Sequence, residues 1–266
     1  MRPRLVAFDL DGTLVGASLS IRPRVTEAVR AMNERGVLGC IVTGRMFRSA
    51  LPFARALNFG GPIVCYQGAA VIDPSSDEIL LGTPLPNREA LEVVAYAKSA
   101  GLHVQLYADD QYYCETANRF SDLYAHVSDV PPVVVASLER QFATCDASKA
   151  VIIADPEIAA EHLPILAARL GKRAYVTRSL PAFIETMSPQ VDKGRALRFV
   201  AGRLKISMDD VLAVGDSWND APLLEVAGFG VAMGSAPPEL RTLADAVVAD
   251  VESDGVAEAI ERYVLA

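Results

Sequence analysis

Leu5-Val6-Ala7-Phe8-Asp9-Leu10-Asp11-Gly12-Thr13 is a run of four apolar residues that ends in two carboxylates two positions apart, followed by a glycine. So short and uniformly apolar a run reads as a strand buried on both faces. Desolvating a carboxylate costs on the order of several kcal/mol unless a cation compensates. Two acids at the end of such a strand therefore point to a bound metal, a proton transfer, or both. Asp11-Gly12 between apolar segments is also a β-turn signal, so the rest of the chain has to separate the two readings.

Outward from this stretch, similar apolar runs recur at Val37 to Val42, Ile63 to Tyr66, Val211 to Val214 and Phe229 to Met233. Between them lie helical periodicities: Val25, Ala28, Val29 and Met32 follow i, i+3, i+4, i+7, as do Leu197, Val200, Ala201 and Leu204. Alternating strands and helices with apolar strands predict an α/β fold, a parallel sheet covered on both faces. Ligands of such sheets bind beyond the carboxyl ends of the strands, where Asp9, Thr43 and Asp216 fall.

The middle of the chain has a different pattern. Pro84, Pro86 and Asn87 open a helix with Leu91, Val94 and Ala95 on one face, and His103 to Cys114 reads as a hairpin turning at Asp109-Asp110-Gln111. A strand (Lys149 to Ala154), a helix (Glu157 to Leu170) and two strands (Arg173 to Thr177, Ala182 to Met187) follow. Residues 84–186 are expected to form a smaller α+β domain inserted into a core of residues 1–83 and 187–266.

With 266 residues, 51% of them hydrophobic, the chain can bury a real core. A formal charge of −8 argues against a nucleic-acid partner, because binding phosphates in bulk needs a basic face. Cys40, Cys65, Cys114 and Cys145 are widely spaced without a C-x-x-C pair, as expected of buried thiols in a reducing compartment. No signal-peptide core or membrane-spanning run is evident, so no membrane partner and a cytoplasmic location are expected.

Three further constellations stand beside strand ends. Thr43-Gly44-Arg45 could cap a helix or, through the Thr hydroxyl and exposed amides, hold a phosphate oxygen. Asp192-Lys193-Gly194 opens a helix from Lys193 to Leu204. Asp192 suits the N-cap, but Lys193 opposes the helix dipole unless an anion sits nearby. In Gly215-Asp216-Ser217-Trp218-Asn219-Asp220, Asp216 or Asn219 could cap the next helix, yet two acids and an amide in five residues also suit Mg²⁺. His103, His126 and His162 show no metal-ligand spacing.

Taken together, these motifs make the chain resemble the haloacid dehalogenase-like superfamily of phosphohydrolases and, within it, the Cof-type subgroup with a type IIB cap. The matching residues are Asp9-Leu10-Asp11-Gly12-Thr13, Thr43-Gly44-Arg45, Lys193 and Gly215 to Asp220, joined by Phe183-Ile184-Glu185-Thr186-Met187-Ser188-Pro189 on the approach to the lysine. Because 34 positions separate Asp9 from Thr43 and 150 separate Thr43 from Lys193, the cap falls in the second gap.

The resemblance implies a Rossmann-like, doubly wound core with an inserted α/β cap that helps choose the substrate, and a Mg²⁺-dependent phosphatase. Asp9 would be the nucleophile, forming an aspartyl-phosphate, and Asp11 the general acid and then base. Mg²⁺ would be held by the Asp9 carboxylate, the Asp11 backbone carbonyl and Asp216. Thr43, the Leu10 and Gly44 amides, Lys193 and Asn219 would cradle the phosphoryl oxygens, with Asp220 supporting the metal shell or Lys193.

Within this superfamily the dehalogenases and cation-pumping ATPases lack an acid at the position of Asp11, whereas phosphatases and phosphomutases carry one. The substrate implied is a small phosphorylated metabolite, a sugar phosphate foremost. A phosphomutase or phosphotransferase and a non-catalytic sensor of a phosphorylated ligand are the alternatives. Gln67, in Tyr66-Gln67-Gly68-Ala69, departs from the Asn usual in the subgroup. Trp218 is expected to be packing, and Tyr107, Tyr112, Tyr113, Arg119 and Arg178 ordinary cap core or surface.

Overall fold

Leu5–Phe8 forms β1, and all four of its residues are buried, as a strand flanked by others and covered on both faces must be. From β1 the chain runs through α1 (Pro23–Glu34), β2 (Leu38–Ile41), α2 (Phe47–Ala56), β3 (Ile63–Cys65), β4 (Ala70–Ile72) and β5 (Ile79–Gly82). It continues through α3 (Asn87–Ser99), β6 (His103–Ala108), β7 (Gln111–Cys114), α4 (Arg119–Ser128), β8 (Val133–Val134), α5 (Leu138–Gln141), β9 (Lys149–Ile153), α6 (Pro156–Leu170), β10 (Tyr175–Thr177) and β11 (Phe183–Met187). Last come α7 (Lys193–Leu204), β12 (Val211–Gly215), α8 (Ala221–Val226), β13 (Phe229–Ala232), α9 (Pro238–Leu243), β14 (Ala246–Val247) and α10 (Gly255–Tyr263). This computed structural model describes residues 3–266 and separates them into two units, one of the chain up to Leu81 with Asp192–Ala266, the other of Gly82–Val191.

The first unit is built on a parallel sheet of order β14-β13-β12-β1-β2. Leu5 and Ala7 face a cluster with Ala196, Leu197, Val200 and Ala201 of α7 and Leu223 and Leu224 of α8. Val25, Ala28, Val29 and Met32 are the buried stripe of α1, as their spacing predicts. The chain leaves β1 for β2 on one side, while β12 pairs with its other side. The end of β1 is thus a point where the strand order reverses, where open α/β sheets place their ligands.

The second unit carries a six-stranded sheet of order β10-β11-β9-β6-β7-β8, with α3 and α6 packed on one face. It extends beyond the predicted 84–186 because β11 pairs with both β9 and β10, which makes Met187 part of this sheet's interior and carries the boundary to Val191. The buried stripe of α3 includes Ala90, Val93, Val94 and Ala97, an i, i+3, i+4, i+7 set; Ala95 is exposed, contrary to the sequence reading. The hairpin turn is the two residues Asp109 and Asp110, both at positive φ, and Gln111 already pairs with Ala108. Tyr107 and Tyr112 are fully buried in this unit, whereas the Arg119 guanidinium pairs with Asp155 at the surface.

One histidine of this unit makes stability depend on pH. Asn118 caps α4 by accepting from the Phe120 and Ser121 amides through Oδ1, which leaves its Nδ2 to donate to Nδ1 of His103 at 3.2 Å. Burial pushes the imidazole down from 6.5 to about 4, so the folded state holds the neutral ring. Its contribution is fully present above 6.5 and is lost as the pH falls through about 4. His103→Gln is therefore expected to lose less stability than the parent across that acidic window, read from urea midpoints at each end.

Cys40, Cys65 and Cys114 are buried free thiols, while Cys145 is exposed, against the expectation for all four. Among the described residues no helix is long and apolar enough to cross a membrane.

Candidate active site

Asp9 begins where β1 stops, and its amide still donates to Val214 O of β12 at 2.9 Å. On the other flank the Val42 amide donates to Phe8 O, and the Thr43 amide to Val64 O. Asp216, Asp9 and Thr43 therefore leave the carboxyl ends of three neighbouring strands, β12, β1 and β2. Gly12 then reverses the chain at φ +86; a Cβ there would lie 2.3 Å from Oδ2 of Asp216, so only glycine lets that carboxylate sit against the β1 loop. The Thr13 hydroxyl donates to Asp216 Oδ1 at 3.0 Å, a role not anticipated for it.

The lysine of α7 completes the centre. Asp192 caps the helix by accepting from the Arg195 amide at 2.7 Å, which sets Lys193 in the first turn. Lys193 Nζ donates to Asp9 Oδ1 at 2.5 Å and to Asp220 Oδ1 at 2.6 Å, with all three side chains buried. The other oxygen of Asp220 accepts the Asp216 and Ser217 amides at 3.0 and 3.1 Å. Asp220 is thus the residue that holds Lys193 and the Asp216 loop. Ser217, not Asp216 or Asn219, caps the turn that follows.

Oxygens of Asp9, Asp216 and Asp220 lie within 4.8 Å of one another. Burial, then the nearby Asp220 carboxylate, raises Asp9 well above the ordinary carboxylate range despite Lys193. The same two causes push Asp216 up to about 7. Burial alone would lower Lys193, but the Asp220 and Asp9 carboxylates outweigh it and raise it. Three acids against one lysine leave a buried excess of negative charge that a divalent cation would relieve. Hard carboxylate oxygens suit Mg²⁺ or a similar ion. Because both oxygens of Asp220 are engaged, Asp9 and Asp216 are the side chains that fit as ligands.

Asp11 lies apart from this cluster. Arg45 holds its carboxylate from two directions, Nε to Oδ2 at 2.8 Å and Nη2 to Oδ1 at 2.5 Å. The guanidinium is itself fixed by Ser49 and by the Phe53 ring. Arg45 carries no assigned role in the sequence reading. The available signal is its place directly after Thr43-Gly44, where an arginine reaches the first motif.

Thr43 does not cap α2, which begins at Phe47 without a side-chain cap; its hydroxyl accepts the Arg45 amide at 3.1 Å and so tightens the turn. Gly44 is pressed against Gln67, whose Nε2 lies 2.4 Å from where a Cβ would be. Asn219 Nδ2 donates to Gln67 Oε1 at 2.9 Å. Leu10 has its side chain fully buried. Trp218 is 51% exposed, against the expectation of packing: the turn points Asn219 and Asp220 inward, so the residue before them faces out.

The model of the haloacid dehalogenase-like hydrolase family matches residues 6–260. The pyridoxal phosphate phosphatase YbhA of Escherichia coli is 30% identical over 275 residues, covering 100% of both chains. A phosphoglycolate phosphatase of Methanothermobacter thermautotrophicus is 29% identical over 264 residues, 98% of each. The crystal structure of a haloacid dehalogenase-like hydrolase from Bacteroides thetaiotaomicron superposes with a TM-score of 0.87 at 28% identity, covering 98% of this chain and 99% of that one. By a family match over nearly its whole length and by motifs of the Cof type, the chain belongs to the haloacid dehalogenase-like hydrolases.

Proposed function

We propose that the protein is a Mg²⁺-dependent phosphatase that hydrolyses a small phosphorylated metabolite, a sugar phosphate foremost, through an aspartyl-phosphate on Asp9. The observation that carries this reading is the buried Asp9 carboxylate, paired to Lys193 at 2.5 Å beside Asp216 at the end of β1. An anionic nucleophile can approach an anionic phosphate only where such neutralisation is built in. The two relatives named above carry phosphatase names for small, dissimilar phosphorylated compounds, which supports the reaction class more than any one substrate.

Asp9 attacks phosphorus, the ester P–O bond breaks, and its electron pair stays with the leaving oxygen, which takes a proton from Asp11. Water then attacks the aspartyl-phosphate and gives a proton to Asp11, releasing inorganic phosphate and restoring Asp9. Both Asp11 oxygens are bound by Arg45, so at least one must be released for each proton transfer. Thr43, the Leu10 and Gly44 amides, Lys193 and Asn219 receive the phosphoryl oxygens. Asp220 supports Lys193. Mg²⁺, held by the Asp9 and Asp216 carboxylates and the Asp11 carbonyl, would supply positive charge to the phosphoryl oxygens.

The resemblance to the Cof-type subgroup implies that the inserted unit helps choose the substrate. The buried thiols suit a reducing compartment, and we place the protein in the cytoplasm.

A panel of phosphomonoesters that includes hexose phosphates, pyridoxal phosphate and phosphoglycolate tests this reading. Inorganic phosphate should be released from one or more of them with Mg²⁺, and EDTA should stop the release. No release from any ester with any divalent cation would overturn it, and an isomerised ester in place of free phosphate would make the protein a mutase.

A further inference from the structure

Gln67 is placed by an expensive piece of backbone. Tyr66 and Gln67 are consecutive residues at φ 53 and φ 61, a left-handed conformation that strains each side-chain-bearing residue. Both are buried. The turn is held because the Tyr66 amide donates to Arg45 O and the Gln67 amide to Thr43 O, each at 3.0 Å. It is thus tied to the Thr43-Gly44-Arg45 loop, and its side chain crosses to Asn219 in the loop after β12. Strand β1, which delivers Asp9, lies between β2 and β12, so the Gln67–Asn219 contact spans the end of the nucleophile's strand.

The contact itself has two ways of being made. With Asn219 Nδ2 donating to Gln67 Oε1, Asn219 Oδ1 is buried without a hydrogen-bond partner. An acceptor left over in this place would repel a phosphoryl oxygen, which offers only further lone pairs. Turning both carboxamides over keeps the 2.9 Å contact, because the two ends of an amide are nearly equal in shape. Gln67 Nε2 then donates to Asn219 Oδ1, the orphaned acceptor is satisfied, and Asn219 Nδ2 takes the buried position that Oδ1 leaves, where its hydrogens need an acceptor such as a phosphoryl oxygen.

We propose that Gln67 is a positioning residue for phosphoryl transfer: its side-chain amide fixes Asn219 with the nitrogen end toward the phosphoryl oxygens. This rests on the phosphatase reading above and adds to it a role for a residue outside the motifs that hold the acids and the lysine. The strained turn brings that amide between Gly44 and Asn219.

The test compares Gln67→Met, which has similar length and no polar group, with Gln67→Glu, whose carboxylate only accepts and so draws Asn219 Nδ2 toward itself. Circular dichroism and thermal melts establish that both variants are folded. Gln67→Met should lower kcat/KM about tenfold and weaken inhibition by inorganic phosphate in step, the loss of one oriented donor to an anion. Gln67→Glu should be lower still. In a ¹⁵N spectrum the Asn219 side-chain NH₂ signal, identified by its disappearance in Asn219→Leu, should move when inorganic phosphate is added to the parent and stay in place in Gln67→Glu.

A folded Gln67→Met variant within about twofold of the parent in both kcat/KM and phosphate inhibition would overturn the proposal, as would an Asn219 NH₂ signal in the parent that ignores phosphate. If the parent releases no phosphate from any ester, the phosphatase reading fails separately. The phosphate titration followed through Asn219 still decides the orientation.

Discussion

Asn in place of Asp9 should abolish phosphate release, with kcat reduced by about 10⁴-fold or more, while the protein stays folded. The substitution keeps the shape of the side chain and removes the nucleophilic oxygen anion. It also removes a charge whose burial and whose neighbours Asp220 and Asp216 already disfavour it. Lys193 retains Asp220 at 2.6 Å, so no buried cation is stranded. Phosphate release on the best ester of the panel, together with a thermal melt, separates loss of chemistry from loss of structure. Activity within about tenfold of the parent would remove Asp9 from the reaction.

Lys193→Met reverses this relation between chemistry and stability. The ammonium group is buried and bonded to Asp9 and Asp220, both of them buried as well. Removing one member of such a group leaves the remaining charges uncompensated, at a cost of about 3 to 5 kcal/mol. The variant should therefore be inactive and markedly easier to unfold in urea. Added Mg²⁺ should restore part of the lost stability, because a cation that binds only the folded cluster stabilises it by mass action. A variant as stable as the parent would mean that Lys193 does not neutralise these acids.

The core was largely legible because its signals are local. Leu5 to Phe8 and Val211 to Val214 are apolar runs too short for helices, and the α1 stripe from Val25 to Met32 repeats at the helical period. Asp9, Asp216 and the Thr43 loop could be assigned to strand ends, and Lys193 to the start of a helix, on the same grounds. What the sequence could not supply are contacts between motifs. Nothing in the order of residues says that Arg45 grips Asp11, that the Thr13 hydroxyl bonds Asp216, or that Gln67 reaches Asn219 across some 150 positions. Trp218 is exposed against expectation because burial statistics for tryptophan ignore the direction of a turn that points the next two residues, Asn219 and Asp220, inward. In the second unit, Ala95 was put on the buried face of α3 because alanine carries little information about burial, and Val93 identifies that face better. The strand expected at Ala182 to Met187 is β11 of the second unit, and what the residues do not mark is where the chain passes on to the first unit, at Val191 and not at 186.

The covalent intermediate is the claim on which the rest depends. The parent protein with Mg²⁺ and a ³²P-labelled ester, quenched in acid during turnover and digested, should yield one labelled peptide, with the phosphoryl group on Asp9 and released by hydroxylamine. Label on Asp11 or on any other residue, or unlabelled protein while phosphate is being released, would contradict it.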